Sequence, residues 1–231
     1  MKWLHLTHYL ILKTSKMKNR ILLVATLALL LSTSCSTENR VERSEIDFVD
    51  GVLMVDGKKL TGTAYDTYTN QTLRSEYTIV EGIEHGPATT YYPNGKMDEK
   101  MNWVEGKKEG PYEKYHENGQ LAVKGSFSDG KRDGAFETYY ETGKMMRKGF
   151  YDEDKLTGTV QDFYDNGQVK SSVTYNENMK NGPYEEYFDN GQMKVFGYFK
   201  NDRRDGTFEI YSEDGELKQK IVYENGRVIL N

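Results

Sequence analysis

Two histidines, a run of acidic residues and a series of tyrosines are the side chains of this sequence whose chemistry could serve a function. His85 and His116 have no cysteine and no second histidine at metal-ligand spacing, so we interpret them as structural residues. The acidic run 152–154 lacks the spaced oxygen ligands of a calcium loop. The sequence also lacks a phosphate-binding loop, a nucleophile elbow and the spacing of a catalytic triad. We therefore expect no enzyme activity, no metal and no cofactor.

The tyrosines are the stronger candidate, because they recur at a fixed interval of 24 residues. Tyrosine is a common interface anchor, and rings about 10 Å apart on one face of a sheet would suit an extended ligand. The alternative is that the rings only pack against neighbours such as Met146, Lys170 and Lys194 and stiffen the sheet. Thr67 breaks the series at its start. The predicted binding column consists of Tyr91, Tyr115, Tyr139, Phe163, Tyr187 and Tyr211.

This column belongs to a 24-residue repeat that two series of glycines mark without any insertion. We number each copy from its first glycine, at position 0; the second glycine follows at position 9 in six copies. A fixed period of this length is typical of a repeat array rather than of a globular core. Seven copies begin at Gly62, Gly86, Gly110, Gly134, Gly158, Gly182 and Gly206.

Each copy has the pattern of a β-hairpin. Asn-Gly at positions 8 and 9, as in Asn118-Gly119, predicts a two-residue type I′ turn in which both residues have positive φ. Positions that sum to 17 then face each other. Position 2 pairs with 15, where large residues meet small ones such as Tyr112 with Gly125, and position 3 pairs with 14, where opposite charges meet. We expect the first copy, with Asn70-Gln71, to turn least well.

The same register assigns residues to the two faces of the sheet. Positions 2, 6, 11, 15 and 17 are predicted to form the core face, and position 5 is the one aromatic column of an otherwise polar face. Lysines of the second strands are interpreted as partners of the glutamates at position 3. Gly, Asp or Asn at position 20 suits a left-handed turn residue between copies. The predicted fold is therefore all-β: an elongated, open and twisted antiparallel meander of about seven 24-residue hairpins and fourteen strands.

The N-terminus has a different character. Basic residues within 16–20 precede an apolar run over 21–31, which is typical of a secretory signal. Small residues then lead into Cys35, the single cysteine, and this junction resembles the lipobox of bacterial lipoproteins, although leucine stands four rather than three residues before the cysteine. The resemblance implies cleavage before Cys35 and acylation of its thiol. The alternative is an incidental thiol in an uncleaved anchor.

These features divide the chain into four segments. Residues 1–34 are predicted to be a signal peptide, with 1–16 an upstream extension if Met17 is the true start. Residues 35–44 form a lipidated tether, 45–56 form cap strands and 57–231 form the array. Removal of residues 1–34 takes away five basic residues and no acids, so the formal charge falls from −5 to −10. We therefore expect no nucleic acid partner, and membrane contact only through the lipid of an envelope lipoprotein.

The repeat can be reduced to a short motif: a glycine, an aromatic pair, Asn-Gly, Leu or Met, an aromatic and Gly-Lys-Lys-x-Gly. This motif resembles the MORN-variant repeats of bacterial proteins, which are often labelled antitoxin components. The resemblance covers about residues 57–231. It implies β-hairpin arrays that contact proteins or lipids, and it carries no catalytic residues.

Three functions follow from these observations. The first is an exported, lipid-anchored scaffold that binds another protein or an extended envelope polymer. The second is neutralisation of a toxin, which fits poorly with export and requires a toxin gene as a neighbour. The third is a structural spacer, which would tolerate loss of a whole copy.

Overall fold

The computed structural model describes residues 39–229. The signal peptide predicted over 1–34 and the lipidation site predicted at Cys35 lie outside the described residues. Within 39–229 no helix is long and apolar enough to cross a membrane.

Short elements precede the repeats. Strand β1 (Arg40–Glu42) pairs in parallel with the first strand of the array, and a 3₁₀ turn follows at Arg43–Glu45. The predicted tether therefore ends before residue 40, because β1 extends the sheet. Strands β2 (Asp47–Val49), β3 (Val52–Val55) and β4 (Lys58–Lys59) form a separate three-stranded sheet. The two sheets share a buried apolar cluster of Val41, Leu53, Leu60, Ala64 and Ile79.

Each copy contributes two long strands, as predicted, and successive strands pair in chain order. Three copies, the second, third and seventh, have an additional short strand after their second long strand. The strands are β5 (Gly62–Thr67), β6 (Leu73–Val80), β7 (Ile83–Tyr91), β8 (Met97–Val104), β9 (Lys107–Lys108), β10 (Gly110–Tyr115), β11 (Leu121–Ser128), β12 (Lys131–Arg132), β13 (Gly134–Tyr139), β14 (Met145–Asp152), β15 (Lys155–Phe163), β16 (Val169–Asn176), β17 (Met179–Tyr187), β18 (Met193–Lys200), β19 (Arg203–Tyr211), β20 (Leu217–Glu224) and β21 (Arg227–Ile229).

The pairing of positions that sum to 17 is confirmed in the middle of every hairpin. Tyr112 faces Gly125, and Glu113 faces Lys124. A ring also covers the glycine from the next copy, since a Cβ built on Gly125 would lie 2.5 Å from Cζ of Phe136. Rings at positions 2 and 17 meet edge to face, as Phe127 and Phe136 do at 5.8 Å between ring centres. We call the surface formed by positions 2, 15 and 17 the aromatic face.

The hairpin tips differ from the predicted type I′ turn. Only the glycine has positive φ, which is +90° at Gly119, whereas Asn118 does not. Gly119 donates its backbone N–H to the His116 carbonyl at 2.7 Å, and the backbone N–H of His116 donates to the Gln120 carbonyl at 2.8 Å. These bonds define a type I turn followed by a glycine bulge. Gln71 adopts the same conformation in the first copy, with φ +67°.

The bulge shifts the register by one residue at the tip. Position 11 consequently pairs with position 5, as Leu121 does with Tyr115, and not with position 6. The prediction that position 11 belongs to the core face was therefore wrong, because one extra residue exchanges the faces of a strand.

The type I′ turns lie at the connections between copies instead. Val104 pairs with Lys107 across two residues that both have positive φ, Glu105 at +49° and Gly106 at +77°. The predicted left-handed residue at position 20 is confirmed, while the second one at position 19 was missed because its residue is usually acidic.

The strands of the sheet end along two sides, here called its edges: the hairpin tips lie on one edge and the connections on the other. Both edges carry bonds from one copy to the next. At the tips, Asn118 donates its side-chain N–H to the Glu141 carbonyl at 2.8 Å, and the Tyr140 hydroxyl donates to the Phe163 carbonyl at 2.8 Å. At the connections, Lys131 pairs with Glu153 at 3.0 Å. The same edge also has backbone bonds, such as the Gly106 N–H to the Glu84 carbonyl at 2.9 Å.

Candidate functional site

The predicted tyrosine column lies on the face opposite the aromatic face, next to the glutamates at position 3. In four copies the tyrosine hydroxyl donates to the carboxylate two residues earlier on the same strand. We call the surface formed by positions 3, 5, 11 and 14 the tyrosine face. The hydroxyl-to-carboxylate bonds are Tyr115 to Glu113 at 2.8 Å, Tyr139 to Glu137 at 2.6 Å, Tyr187 to Glu185 at 3.0 Å and Tyr211 to Glu209 at 2.7 Å.

These bonds keep the hydroxyls protonated. Burial, followed by the hydrogen bond to Glu137, raises the pKa of Tyr139 to about 12. For Tyr115 the hydrogen bond to Glu113 is the largest cause of a raised pKa. Because these four hydroxyls are already engaged, a ligand on this face would contact the rings rather than replace the hydroxyl bonds.

The displaced position 11 adds a second row to this face. Each tyrosine or phenylalanine of the column now has a Leu, Met or Val directly opposite it. A shallow depression of about 440 Å³ lies between two copies and is lined by Val169, Tyr187 and Glu185, among others. The paired residues are Tyr91 with Met97, Tyr115 with Leu121, Tyr139 with Met145, Phe163 with Val169, Tyr187 with Met193 and Tyr211 with Leu217.

The neighbours expected for the column lie elsewhere. Lys170 and Lys194 are placed over the rings of Tyr164 and Phe188, at 5.7 and 5.8 Å. Those rings occupy position 6, so the alternative in which these lysines pack on the tyrosine column is wrong.

The charge pairs of this face are only partly formed. Glu209 and Lys220 make an ion pair at 2.6 Å, the one cross-strand pair of positions 3 and 14 that is ion-paired within residues 39–229. Lys148 instead lies over the Phe163 ring at 5.6 Å. The face is therefore a mixture of rings, apolar side chains and charges of both signs.

Sequence reasoning missed a third group of aromatics on this face. Phe196 faces Glu209 across the strands, and its ring contacts Tyr198 edge to face at 5.5 Å. Tyr198 is 47 % exposed. Phe150, which is 48 % exposed, occupies position 16 of copy 4, as Tyr198 does in copy 6. Side chains two residues apart on a strand lie on the same face, and this alternation would have placed Phe196, Tyr198 and Phe150 with the tyrosines.

The two histidines are separate from this face. His116 takes the place of a position 6 tyrosine, with Nε2 2.8 Å from the Tyr139 carbonyl. His85 Nδ1 accepts the Glu105 N–H at 3.5 Å, a long bond at a connection. Among residues 39–229, no three His, Cys, Asp or Glu side chains are grouped as metal ligands would be.

Comparison with known families gives one match. A family model described as MORN repeat variant matches six successive segments that together cover more than half of the chain. Each segment runs from one connection to the next and contains one hairpin tip. No curated protein matches the chain. The matched segments are residues 84–105, 108–129, 132–153, 156–177, 180–201 and 204–225.

Proposed function

The chain belongs to the MORN repeat variant family, and from this premise we propose that it is a repeat scaffold that binds an extended partner along the tyrosine face, without catalysis. The partner would be a segment of another protein or an envelope polymer. One observation carries the proposal: the double row of position 5 rings and position 11 Leu, Met or Val continues through six copies on a single-layer sheet.

The spacing of this row sets the period of the partner. Two strands per copy place equivalent rings about 10 Å apart. A peptide in the polyproline II conformation rises about 3.1 Å per residue with three residues per turn, so every third residue would lie on the same side and meet an equivalent ring. The bound segment would therefore repeat an apolar or aromatic residue with that period. A strongly anionic polymer is disfavoured, because the chain without residues 1–34 carries a formal charge of −10.

The test replaces Tyr115, Tyr139 and Tyr187 together. The triple alanine variant removes three rings, and the triple phenylalanine variant is its matched control, because Phe163 already occupies the same position. A photo-crosslinking residue at Tyr198 reports contact on the tyrosine face, and one at Lys170 reports on the opposite face.

We expect crosslinked adducts from Tyr198 in the full-length protein in its own membranes, and none from Lys170. The triple phenylalanine variant should keep these adducts and the triple alanine variant should lose them, with unchanged far-UV circular dichroism. Recovery of the same adducts from the triple alanine variant would assign binding to another surface. Full function after deletion of a complete 24-residue copy would favour the spacer.

We also propose that the scaffold is exported and anchored through an acylated Cys35. The support is the basic, apolar and small-residue order of residues 16–35. Cys35→Ala should abolish metabolic labelling with a fatty-acid analogue, whereas persistent labelling would refute the anchor.

A further inference from the structure

A cavity of about 650 Å³ lies on the aromatic face at the first two copies, and Tyr91, the first residue of the tyrosine column, also contributes to its lining. Its apolar lining includes Leu53, Ala64, Tyr77, Ile79 and Trp103. The volume falls within the range of about 300–1,000 Å³ that is typical of small-molecule sites.

At position 2 the cavity is lined by a small residue, Ala64. Most later copies carry a ring at that position, such as Phe136 or Phe208. Tyr112, the first ring of that series, donates its hydroxyl to Glu99 at 3.0 Å, and Glu99 is itself part of the lining. Copy 5 carries Val160 at position 2, and a smaller cavity of about 250 Å³ lies there.

Two buried polar atoms of the lining residues have no hydrogen-bond partner. They are the indole Nε1 of Trp103, a donor, and Oδ1 of Asp98, an acceptor. Lys114 is 3.4 Å from that oxygen as an ion pair, without hydrogen-bond geometry. Both atoms lie beneath the surface of the lining, so the donors and acceptors that a ligand meets are the arginine and carboxylate groups around them.

The charges of the lining select against ions. Four carboxylates and two arginines line the cavity, which gives a formal charge of −2 and disfavours an anion. A cationic ligand gains little, because protein cations already lie over the rings: Arg74 is 5.8 Å from the Tyr68 ring centre and Lys108 is 5.8 Å from that of Trp103. The remaining class is a neutral molecule with hydroxyl groups that donate and accept and with apolar C–H surface to contact the rings.

We propose that this cavity binds a neutral saccharide of one or two rings. The hydroxyl groups hydrogen-bond to the carboxylates and to the arginines, while the C–H surface of the sugar packs on Tyr77 and Trp103. None of Tyr115, Tyr139 and Tyr187, the tyrosines tested above, lines this cavity, so the two sites can be tested separately.

Tryptophan fluorescence offers a direct test. The chain has two tryptophans, Trp3 and Trp103, so Trp3→Phe in the full-length protein leaves Trp103 as the single fluorophore. Glucose, N-acetylglucosamine, cellobiose and chitobiose are titrated in turn. We expect at least one of them to give a saturable change with a Kd of about 1 mM or lower.

Ser75→Arg is the blocking variant, because Ser75 lines the cavity at position 13 and copy 4 tolerates arginine there as Arg147. Its matched control is Ser171→Arg, at the same position in copy 5 and outside the cavity. We expect binding to weaken at least tenfold in the first variant and to remain unchanged in the second. Trp103→Phe, measured by calorimetry, should weaken binding about fivefold through loss of ring surface that the sugar contacts.

Three results would overturn the proposal: no saturable change with any of the four sugars, equal binding by the two arginine variants, or saturation by tetramethylammonium chloride or sodium sulfate instead of a sugar. The triple alanine variant of the tyrosine face should bind the sugar as the parent does. Loss of its crosslinks alone would leave this site standing, and loss of sugar binding alone would leave the scaffold function standing.

Discussion

The two edges of the sheet join neighbouring copies with different chemistry. At the hairpin tips the side-chain bonds end on backbone carbonyls one copy further on: asparagine amides and position 6 hydroxyls donate, as Asn118 and Tyr140 do, and so do lysines such as Lys96. At the connections the side-chain links are ion pairs, such as Lys155 with Glu177 at 2.9 Å. Neutral bonds of fixed geometry resist salt, whereas exposed ion pairs are screened by it. The comparison teaches that one repeat can couple its copies through two independently adjustable edges.

The turns at the two edges also require different residues. A tip needs glycine or a tolerant residue at one position and an asparagine that bonds through its side chain. A connection places two consecutive residues at positive φ, and one of them is usually acidic. Glycine should therefore have opposite effects on stability when it is introduced at the two edges.

The largest effect is expected from Asn118→Gly at a tip. The substitution removes the bond from the side-chain N–H to the Glu141 carbonyl and the bond from the Gln120 N–H to Oδ1, at 2.8 and 2.9 Å. We expect the free energy of unfolding to fall by about 1.5 kcal/mol, measured by urea denaturation. Asn118→Asp, which keeps the acceptor as Asp214 does, should lose about half as much. Equal stability of Asn118→Gly and the parent would show that the tip bonds contribute nothing.

The next effect is expected from Tyr140→Phe. Loss of the hydroxyl leaves the Phe163 carbonyl without that donor, and we expect a loss of about 1 kcal/mol that does not depend on salt. Phe188→Tyr is the reciprocal change, because Phe188 interrupts the series of position 6 donors. It should raise stability by about 0.5 kcal/mol. If the loss of stability in Tyr140→Phe depended on salt, the hydroxyl-to-carbonyl bond would not act as a neutral link between copies.

Glu105→Gly should act in the opposite direction at a connection. Glu105 has φ +49°, a conformation that disfavours residues with a Cβ, and glycine relieves this cost while adding flexibility to the unfolded chain. We expect a net gain of about 0.5 kcal/mol in urea denaturation. Gly106→Ala, at the adjacent left-handed position with φ +77°, is the converse control and should destabilise. Destabilisation by Glu105→Gly would mean that the glutamate side chain matters more than its backbone conformation.

The smallest effect concerns the ion pairs of the connections. Hydrogen bonds from Lys107, Arg132 and Lys155 lower the pKa values of their carboxyl partners. Their contribution to stability is therefore present above the unfolded pKa, near 4, and is lost as the pH falls through the lower folded pKa. Lys155→Met, which introduces the residue that the next copy carries there as Met179, should flatten this acid response slightly and should reduce the effect of added salt. Identical urea midpoints for parent and variant from pH 7 to pH 3 would contradict it.

The central register could be predicted because cross-strand pairs leave a pattern in the sequence. Tyr112 over Gly125 and Glu113 beside Lys124 are complementary only when positions sum to 17. The tip turn could not be settled in this way, since Asn-Gly suits both a type I′ turn and a type I turn with a glycine bulge. The asparagine is selected here for its side-chain bonds, and its φ is not positive. The resulting one-residue shift moved position 11 to the tyrosine face.

The cavity was also beyond sequence reasoning. Ala64 and Ala88 stand in the same column as Phe136 and Phe208. A pairing rule records both alanines as small residues opposite large ones, Tyr77 and Met101. Only the three-dimensional structure shows that Ala64 lines a space and that Ala88 does not.

Two series of side-chain bonds, the position 6 donors at the tips and the ion pairs at the connections, are both interrupted near the end of the array. The two ends of the molecule therefore differ. Phe188 lacks the hydroxyl that donates to the following copy's carbonyl, and Met179 and Asn201 replace a lysine and its acidic partner. Copies 6 and 7 remain joined by the bond from the Asn190 side-chain N–H to the Glu213 carbonyl at 3.2 Å and by backbone and ring contacts. Under mechanical load or thermal fluctuation we expect the last two junctions to open before those of the middle copies, so that the end of the array is its compliant part.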